Sequence, residues 1–216
     1  MENYGFYVNT DICMGCKACM TACFDRNDLV VPQKFRKVWE FNGGGWKSVG
    51  DTVSFDVFAY FVSLTCNHCD VPACVAICPT GAMEKDPETG IVSVDIELCD
   101  GCMSCEQACP YNHPVKGDDG FAHKCVLCTD QNADKVPEPM CLGACPVRAL
   151  DFGLIDDLRA RYGEVDKIGT LGNITAPNVV IGVHRDAAGN ENGIAGGTAN
   201  GNDVIVANPL EISHEA

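Results

Sequence analysis

The alternation of apolar and polar residues along the sequence predicts several short strands. Tyr4 to Val8 has the pattern of one such strand. Two further segments either alternate between apolar and polar residues or consist of consecutive apolar and aromatic residues, namely Phe35 to Phe41 and Ser54 to Val62. The glycine-rich stretch Asn42-Gly-Gly-Gly45 follows the first of them. Two such runs around a glycine-rich turn predict a β-hairpin or a small antiparallel insert.

The aromatic residues of this insert allow two interpretations. They form a local core, as the alternation favours, or a patch that faces a partner. The residues concerned are Trp39, Trp46, Phe55, Phe58 and Tyr60.

The C-terminal part of the sequence has a different character. Asp156 to Tyr162 carries charges on one side, which predicts a short helix. From Gly163 onward glycine, asparagine, alanine and aspartate dominate, and such a composition cannot build a core of its own. We therefore predict an extended arm that makes short β contacts at Asn178 to Val183 and at Val204 to Val206.

Sixteen cysteines, far above ordinary usage, fall into four groups of four. Two groups have the spacing C-x2-C-x2-C-x3-C, the run by which bacterial ferredoxins hold [4Fe–4S] clusters. In the other two groups the second gap is longer, with four or twelve residues. In sequence order the groups are Cys13, Cys16, Cys19 and Cys23; Cys66, Cys69, Cys74 and Cys78; Cys99, Cys102, Cys105 and Cys109; and Cys125, Cys128, Cys141 and Cys145.

The spacing follows from the chemistry of the cluster. Each corner iron of the cube needs a soft thiolate, and a loop with a cysteine at every third position reaches three corners. The segment between Cys105 and Cys109 predicts one helical turn, which carries Cys109 toward a neighbouring cluster, and Pro110 stops that turn because it has no amide hydrogen. Sixteen thiolates therefore match four [4Fe–4S] clusters with none left over.

Which group donates its fourth cysteine to which cluster is a separate question. The second and third groups are about twenty residues apart and both end in Cys-Pro, so we predict that they pair as an inner unit, enclosed by the first and fourth groups as an outer unit. The competing scheme pairs the first group with the second and the third with the fourth. With crossed fourth ligands, the nested scheme gives cluster A with Cys13, Cys16, Cys19 and Cys145; cluster B with Cys23, Cys125, Cys128 and Cys141; cluster C with Cys66, Cys69, Cys74 and Cys109; and cluster D with Cys78, Cys99, Cys102 and Cys105.

Other uses of these residues fit less well. A C-x2-C pair followed at a distance by a second pair also describes zinc ribbons, but the fourth group ends in C-x3-C-P beside three iron–sulfur motifs. A disulfide-rich secreted protein does not match the repeated C-x2-C spacing. His68 lies inside the second group, where we predict that it is not a ligand because all four cysteines are present. The remaining histidines share no motif and are predicted to be surface or structural residues: His113, His123, His184 and His214.

The charge and the apolar pattern limit the partners. The formal net charge is −15, and four clusters with their thiolates would bring it to roughly −23. This charge argues against nucleic-acid binding and is compatible with an acidic electron carrier. No apolar run is long enough for a membrane span, and the N-terminus lacks the basic start and apolar core of a signal peptide. We expect a protein at the periphery of the cytoplasmic membrane within a complex, or exported with a partner, with a cytoplasmic location as the alternative.

The order of the four groups resembles the four-cluster electron-transfer subunits of molybdopterin oxidoreductases. The resemblance covers roughly residues 4–162 and rests on Cys66-Asn-His-Cys69-Asp-Val-Pro-Ala-Cys74, Cys-Pro-Thr-Gly-Ala, Cys-Pro-Tyr and Cys-Pro-Val-Arg-Ala-Leu. It implies electron transfer between a catalytic molybdenum or tungsten bis-pterin subunit and a membrane anchor that reacts with quinone, or a soluble redox partner. It also implies that this chain has no catalysis of its own.

The resemblance carries two finer expectations. Clusters A and B would face the catalytic subunit, and clusters C and D the membrane partner. Some relatives lack the second cysteine of the third group and hold a three-iron cluster there, whereas this chain has Cys102, so four irons are expected in every cluster. A free-standing soluble polyferredoxin is the alternative function.

The expected fold is α+β, with two pseudo-symmetric bacterial-ferredoxin-like units, one nested in the other, a β-hairpin insert and an extended C-terminal arm. The outer unit would comprise 1–54 and 115–162, the inner unit 55–114 and the arm 163–216.

Overall fold

A computed structural model describes residues 2–43, 46–55, 57–131, 136–164 and 174–185. The strands are β1 (Tyr4–Asn9), β2 (Lys37–Gly43), β3 (Trp46–Val49), β4 (Thr52–Phe55), β5 (Phe58–Leu64), β6 (Met83–Lys85), β7 (Val92–Val94), β8 (Val115–Lys116), β9 (Ala122–His123), β10 (Leu150–Leu154) and β11 (Val179–Gly182). The helices are α1 (Ala18–Arg26), α2 (Ala73–Ala76), α3 (Ser104–Ala108), α4 (Met140–Gly143) and α5 (Ile155–Tyr162), with a 3-10 turn at Thr129–Gln131.

A three-stranded sheet brings the first and last described strands together. The central strand β1 pairs antiparallel with β10 and parallel with β11. Because side chains alternate along a strand, Val179 and Ile181 face the main core while Val180 faces Leu158 of helix α5. The predicted strand at Tyr4 and the predicted helix at Asp156 are confirmed, and part of the predicted β contact at Asn178 to Val183 is strand β11.

The expected contact at Val204 to Val206 lies outside the described residues.

The insert is antiparallel, as predicted, with β2 paired to β5 and β3 paired to β4. Some of its aromatic residues fit a local core, and others are exposed as a patch that faces a partner would be. Tyr60 is buried and stacks on Phe41 with ring centroids 5.3 Å apart, whereas Trp46 and Phe55 are 74% and 67% exposed; Trp39 and Phe58 are half-buried. Strand β5, which falls in the expected inner unit, therefore shares a sheet with β2 of the expected outer unit.

The cysteine groups lie in loops and in the short helices beside them, with Cys19 and Cys23 in α1, Cys74 in α2, Cys105 in α3 and Cys141 in α4. Hairpin β6–β7 separates the second group from the third, and hairpin β8–β9 separates the third from the fourth. The expected helical turn is α3, after which Cys109 continues in extended backbone at φ −80° and ψ 115°. Helix α1 packs against α4, and α2 packs against α3.

Within the described ranges, no helix is long and apolar enough to cross a membrane.

Candidate metal-cluster sites

The four cysteine loops share one backbone feature. In each of them the residue just before the second cysteine has a left-handed conformation, at Gly15 (φ 67°), His68 (φ 45°), Gly101 (φ 72°) and Leu127 (φ 58°). Such a turn points consecutive backbone N–H groups inward, and Leu127 N–H donates to Cys125 Sγ at 3.4 Å. The four loops are therefore similar in conformation as well as in spacing.

Position 101 requires glycine for lack of space as well as for its left-handed conformation, and this gives a testable prediction. A Cβ at this position would lie 2.5 Å from the carbonyl oxygen of Gly120, which is backbone and cannot turn aside. We expect Gly101→Ala to lose the cluster of its loop, with about four fewer irons per molecule, as measured by iron analysis.

Gly81→Ala is the matched control, because Gly81 has a similar φ of 71° but nothing within 4 Å of a new Cβ. It should cost only about 1–2 kcal/mol of unfolding free energy for the left-handed conformation and keep its iron. Equal iron loss in both variants would contradict the role of the Gly120 contact.

The two Cys-Pro segments after α2 and α4 are also alike. Met83 N–H donates to Cys78 Sγ at 3.4 Å, and Ala149 N–H donates to Cys145 Sγ at 3.2 Å. In both segments the backbone then enters a strand, β6 or β10. The two segments are therefore alike in backbone conformation as well as in their shared Cys-Pro.

The first and fourth cysteine groups meet in space. Burial raises the pKa of the Cys13 thiol, and its electrostatic neighbours include Cys19, Cys145 and Cys16. Burial also raises the pKa of Cys23, whose neighbouring thiols are those of Cys125, Cys141 and Cys128. In both cases one group supplies three of the thiols and the other group supplies the fourth.

The second and third groups meet in the same way. Cys66, Cys69, Cys74 and Cys109 line one cavity. Cys78, Cys99, Cys102 and Cys105 line a second cavity. A space bordered by four thiols fits an iron–sulfur cube, which needs one thiolate for each iron.

Burial has a consequence for how these thiols bind metal. It raises the pKa of Cys69 and of Cys74 to about 12, with like-charged neighbouring thiols adding to the effect. Free thiols at these positions are therefore protonated at neutral pH, and cluster binding must release their protons.

All sixteen cysteines lie in the described ranges and all are free thiols. Among the described residues, no group of three or more His, Cys, Asp or Glu side chains is close enough to hold a single metal ion. A cube binds each thiolate at a different corner, so its ligands stand further apart than those of one ion.

Two residues of the insert that the sequence did not single out lie beside these thiols. Arg36 is buried, and its Nη1 donates to the Ser63 hydroxyl at 3.0 Å and to the Ser63 carbonyl at 3.2 Å. The Ser63 hydroxyl lies 3.2 Å from Cys19 Sγ. Burial alone would lower the pKa of Arg36, but the thiols of Cys141 and Cys19, among others, raise it.

The loop of the second group is held by residues other than its cysteines. The Asn178 side chain donates to the His68 carbonyl at 2.8 Å, and Thr175 is in hydrogen-bond contact with Cys69. His68 Nδ1 accepts the Val92 N–H at 2.9 Å, so this ring nitrogen is used in holding β7. Lys124 is buried against the cavity of this group and donates to the carbonyls of Val92 and Cys125.

Of the other predicted structural histidines, His113 and His184 are buried, and His123 is half-buried with its Nε2 2.9 Å from Asp119. His214 lies outside the described residues.

Comparison with known proteins agrees with this chemistry. Residues 57–155 match the 4Fe-4S dicluster domain, and residues 10–23 match a 4Fe-4S binding domain. The fold and the grouped thiols thus define an iron–sulfur protein.

Relatives identify the family more closely. The B subunit of anaerobic dimethyl sulfoxide reductase from Escherichia coli is 43% identical over 181 residues, which cover 82% of this chain and 87% of the relative. The protein of that name from Haemophilus influenzae is 44% identical over 185 residues, covering 84% and 89%. Protein NrfC of Escherichia coli is 39% identical over 166 residues, covering 75% and 70%. This protein belongs to the family of iron–sulfur electron-transfer subunits that includes the two reductase subunits.

Proposed function

We propose that this chain relays electrons through four [4Fe–4S] clusters and does no substrate chemistry itself. The observation that carries the proposal is that thiols of different cysteine groups lie together, as neighbours of Cys13 and Cys23 and as the lining of two cavities. This arrangement uses every cysteine and leaves none as a nucleophile.

The ligand sets that we propose are those of the nested scheme. Contact of α1 with α4 and of α2 with α3 supports pairing of the first group with the fourth and of the second with the third. The thiol neighbours of Cys13 and Cys23 support clusters A and B, and the two cavities support clusters C and D.

The four proposed sites have an order, with A and D at the ends. Cys125, a proposed ligand of B, follows Lys124, which lines the cavity proposed for C. Cys16 of A and Cys102 of D are exposed, whereas the proposed ligands of B and C are buried or half-buried. Electrons would therefore enter at one exposed end, pass between buried clusters and leave at the other.

The proposed partners are a catalytic molybdenum or tungsten bis-pterin subunit at the A end and a membrane quinone-reactive or soluble redox partner at the D end. The relatives whose names place them in a reductase support membership of a complex. Exposed apolar side chains on the insert, Trp46, Val53, Phe55 and Val57, also favour a partner over a free-standing polyferredoxin.

Purification of the native protein under anaerobic conditions tests this proposal. We expect elution with a larger subunit and about sixteen irons per copy of this chain. Elution at the mass of a single copy with full iron would favour the free-standing polyferredoxin, and an iron count near eight would contradict the four-cluster relay.

A further inference from the structure

Arg36 is a buried charge whose position the local structure does not explain. Its side chain lies in the core at 1% exposure, and within the described ranges it forms no salt bridge with a carboxylate. Its Nε and Nη2 donate to no nitrogen or oxygen atom of the described residues, and the guanidinium carbon lies 4.4 Å from the centre of the Phe6 ring. A buried cation is costly unless an anion compensates it, so a negative group must lie nearby.

The thiols near Arg36, which become anionic when they bind a cluster, belong to two different sites. One is the Cys19 thiol of site A, which is linked to Arg36 through the Ser63 hydroxyl by contacts of 3.0 and 3.2 Å. Because that oxygen accepts from Arg36 Nη1, its own hydrogen is free to point at Cys19 Sγ. The others belong to site B, where the Cys141 thiol is in hydrogen-bond contact with Arg36 and Cys23 lines the same cavity as Arg36.

We propose that Arg36 is a positive charge shared by clusters A and B that raises the reduction potential of both, directly at B and through the Ser63 hydroxyl at A. This inference rests on the proposed function, because it takes the two ligand sets from there. It makes Arg36 and Ser63 positioning and tuning residues of the relay.

The effect follows from the charge change on reduction. A [4Fe–4S]2+ core held at A or B would accept one electron from its neighbour in the relay, which would be oxidised in turn. No bond would form or break, and the anionic cluster would become more negative by one charge. A fixed cation in a low-dielectric interior stabilises the reduced form, and a hydrogen bond to a ligand sulfur acts in the same direction. Because one guanidinium adjoins both sites, it stabilises an added electron on either, which favours reversible transfer between them.

Redox titration of the full-length protein in its complex, followed by EPR, tests the inference. The redox transitions of clusters A and B are assigned with Cys16→Ala and Cys128→Ala, because Cys16→Ala should remove the transition of A and Cys128→Ala that of B. Arg36→Gln should lower the reduction potentials of A and B by at least about 59 mV, which is a tenfold change in the equilibrium constant of one-electron reduction. The potentials of C and D should not change. Ser63→Ala should lower the potential of A alone.

Two matched variants serve as controls. Lys116→Gln removes the same charge from an exposed position, where solvent screens it, and should leave all four potentials unchanged. Arg36→Lys keeps the buried charge and should hold the potential of B closer to that of the unchanged protein than Arg36→Gln does.

The outcomes separate this inference from the function on which it rests. An Arg36→Gln protein with full iron and unchanged A and B potentials would overturn it, as would an equal shift of all four clusters. If Arg36→Gln does not assemble, Ser63→Ala decides, since a shift confined to A supports the inference and its absence overturns it. An unchanged protein that itself holds fewer than four clusters contradicts the proposed function instead.

Discussion

In a protein carrying Cys102→Ser, adding Cys78→Ala will abolish the three-iron EPR signal, whereas adding Cys109→Ala will leave a three-iron signal. Cys102 is an exposed proposed ligand of cluster D. An iron ion that lacks its thiolate at an exposed corner of the cluster is readily released. Cys102→Ser should therefore convert D to a three-iron cluster held by Cys78, Cys99 and Cys105. That cluster is paramagnetic when oxidised, while intact [4Fe–4S]2+ clusters are silent, so it marks D alone.

The second substitution then reports which fourth cysteine reaches the marked cluster. In the nested scheme, loss of Cys78 leaves D with only two thiolates, and such a cluster cannot persist. Loss of Cys109 instead removes a ligand from C and leaves the three ligands of the marked cluster in place. The expected result is complete loss of the signal in one double variant and its presence in the other.

The reverse result has a definite meaning. If each loop keeps its own fourth cysteine, Cys109→Ala will abolish the signal and Cys78→Ala will spare it. If the second and third groups each pair with an outer group, both double variants will keep the signal, because neither Cys78 nor Cys109 is then a ligand of the marked cluster. Iron analysis of the single variant, with about fifteen irons per molecule, is the internal control that only one corner was lost.

The cysteine loops could be predicted from the sequence because their spacing is itself local geometry. A cysteine at every third position and a glycine at Gly15 or Gly101 favour a tight loop around a cube. The same left-handed conformation at His68 and Leu127 has no such signal, because neither residue type prefers it. The similarity of the four loops was therefore predictable from the cysteines more than from the residues between them.

The contacts around the thiols could not be predicted in the same way. Arg36 looks like an ordinary charged residue next to a strand, and Ser63 like a small polar residue within one. Their importance depends on the packing of the insert against α1, where Ser63 meets Cys19 from 44 positions away. Thr175 and Asn178 lie in a stretch whose composition predicts only an extended arm, yet both are buried against the loop of the second group.

Removal of iron is expected to unfold the β6–β7 hairpin while the sheet of β1, β10 and β11 persists. The core beside β6 and β7 contains few buried residues, namely Met83, Val92, Cys105 and Ala122. The partly buried residues packed against it include three more cysteines, Cys74, Cys78 and Cys99. With the metal gone, these thiols border cavities rather than a solid centre, and little apolar burial remains to offset the conformational entropy of the unfolded state.

The sheet of β1, β10 and β11 has a different source of stability. Phe6, Val8, Leu150, Val179 and Ile181 are buried together on one of its faces, and Ile155, Leu158 and Val180 form a second cluster on the other. The first of these clusters also contains Cys19, Cys141 and Cys145, but its other buried residues are aliphatic or aromatic, and the second contains no cysteine. Burying each such aliphatic side chain contributes roughly 1.5–3 kcal/mol, so the sheet should keep measurable protection in the iron-free protein.

Hydrogen exchange measured before and after oxidation and chelation reports the difference. Amides of β6 and β7 should exchange at the rate of an unfolded peptide, whereas those of β1 and β10 should stay at least tenfold slower, which corresponds to about 1.4 kcal/mol. Return of iron and sulfide should restore the protection of β6 and β7, and this shows that the protein was unfolded rather than chemically damaged. Persistent protection of β6 and β7 in the iron-free protein would mean that the hairpin is held by its own contacts and not by the clusters beside it.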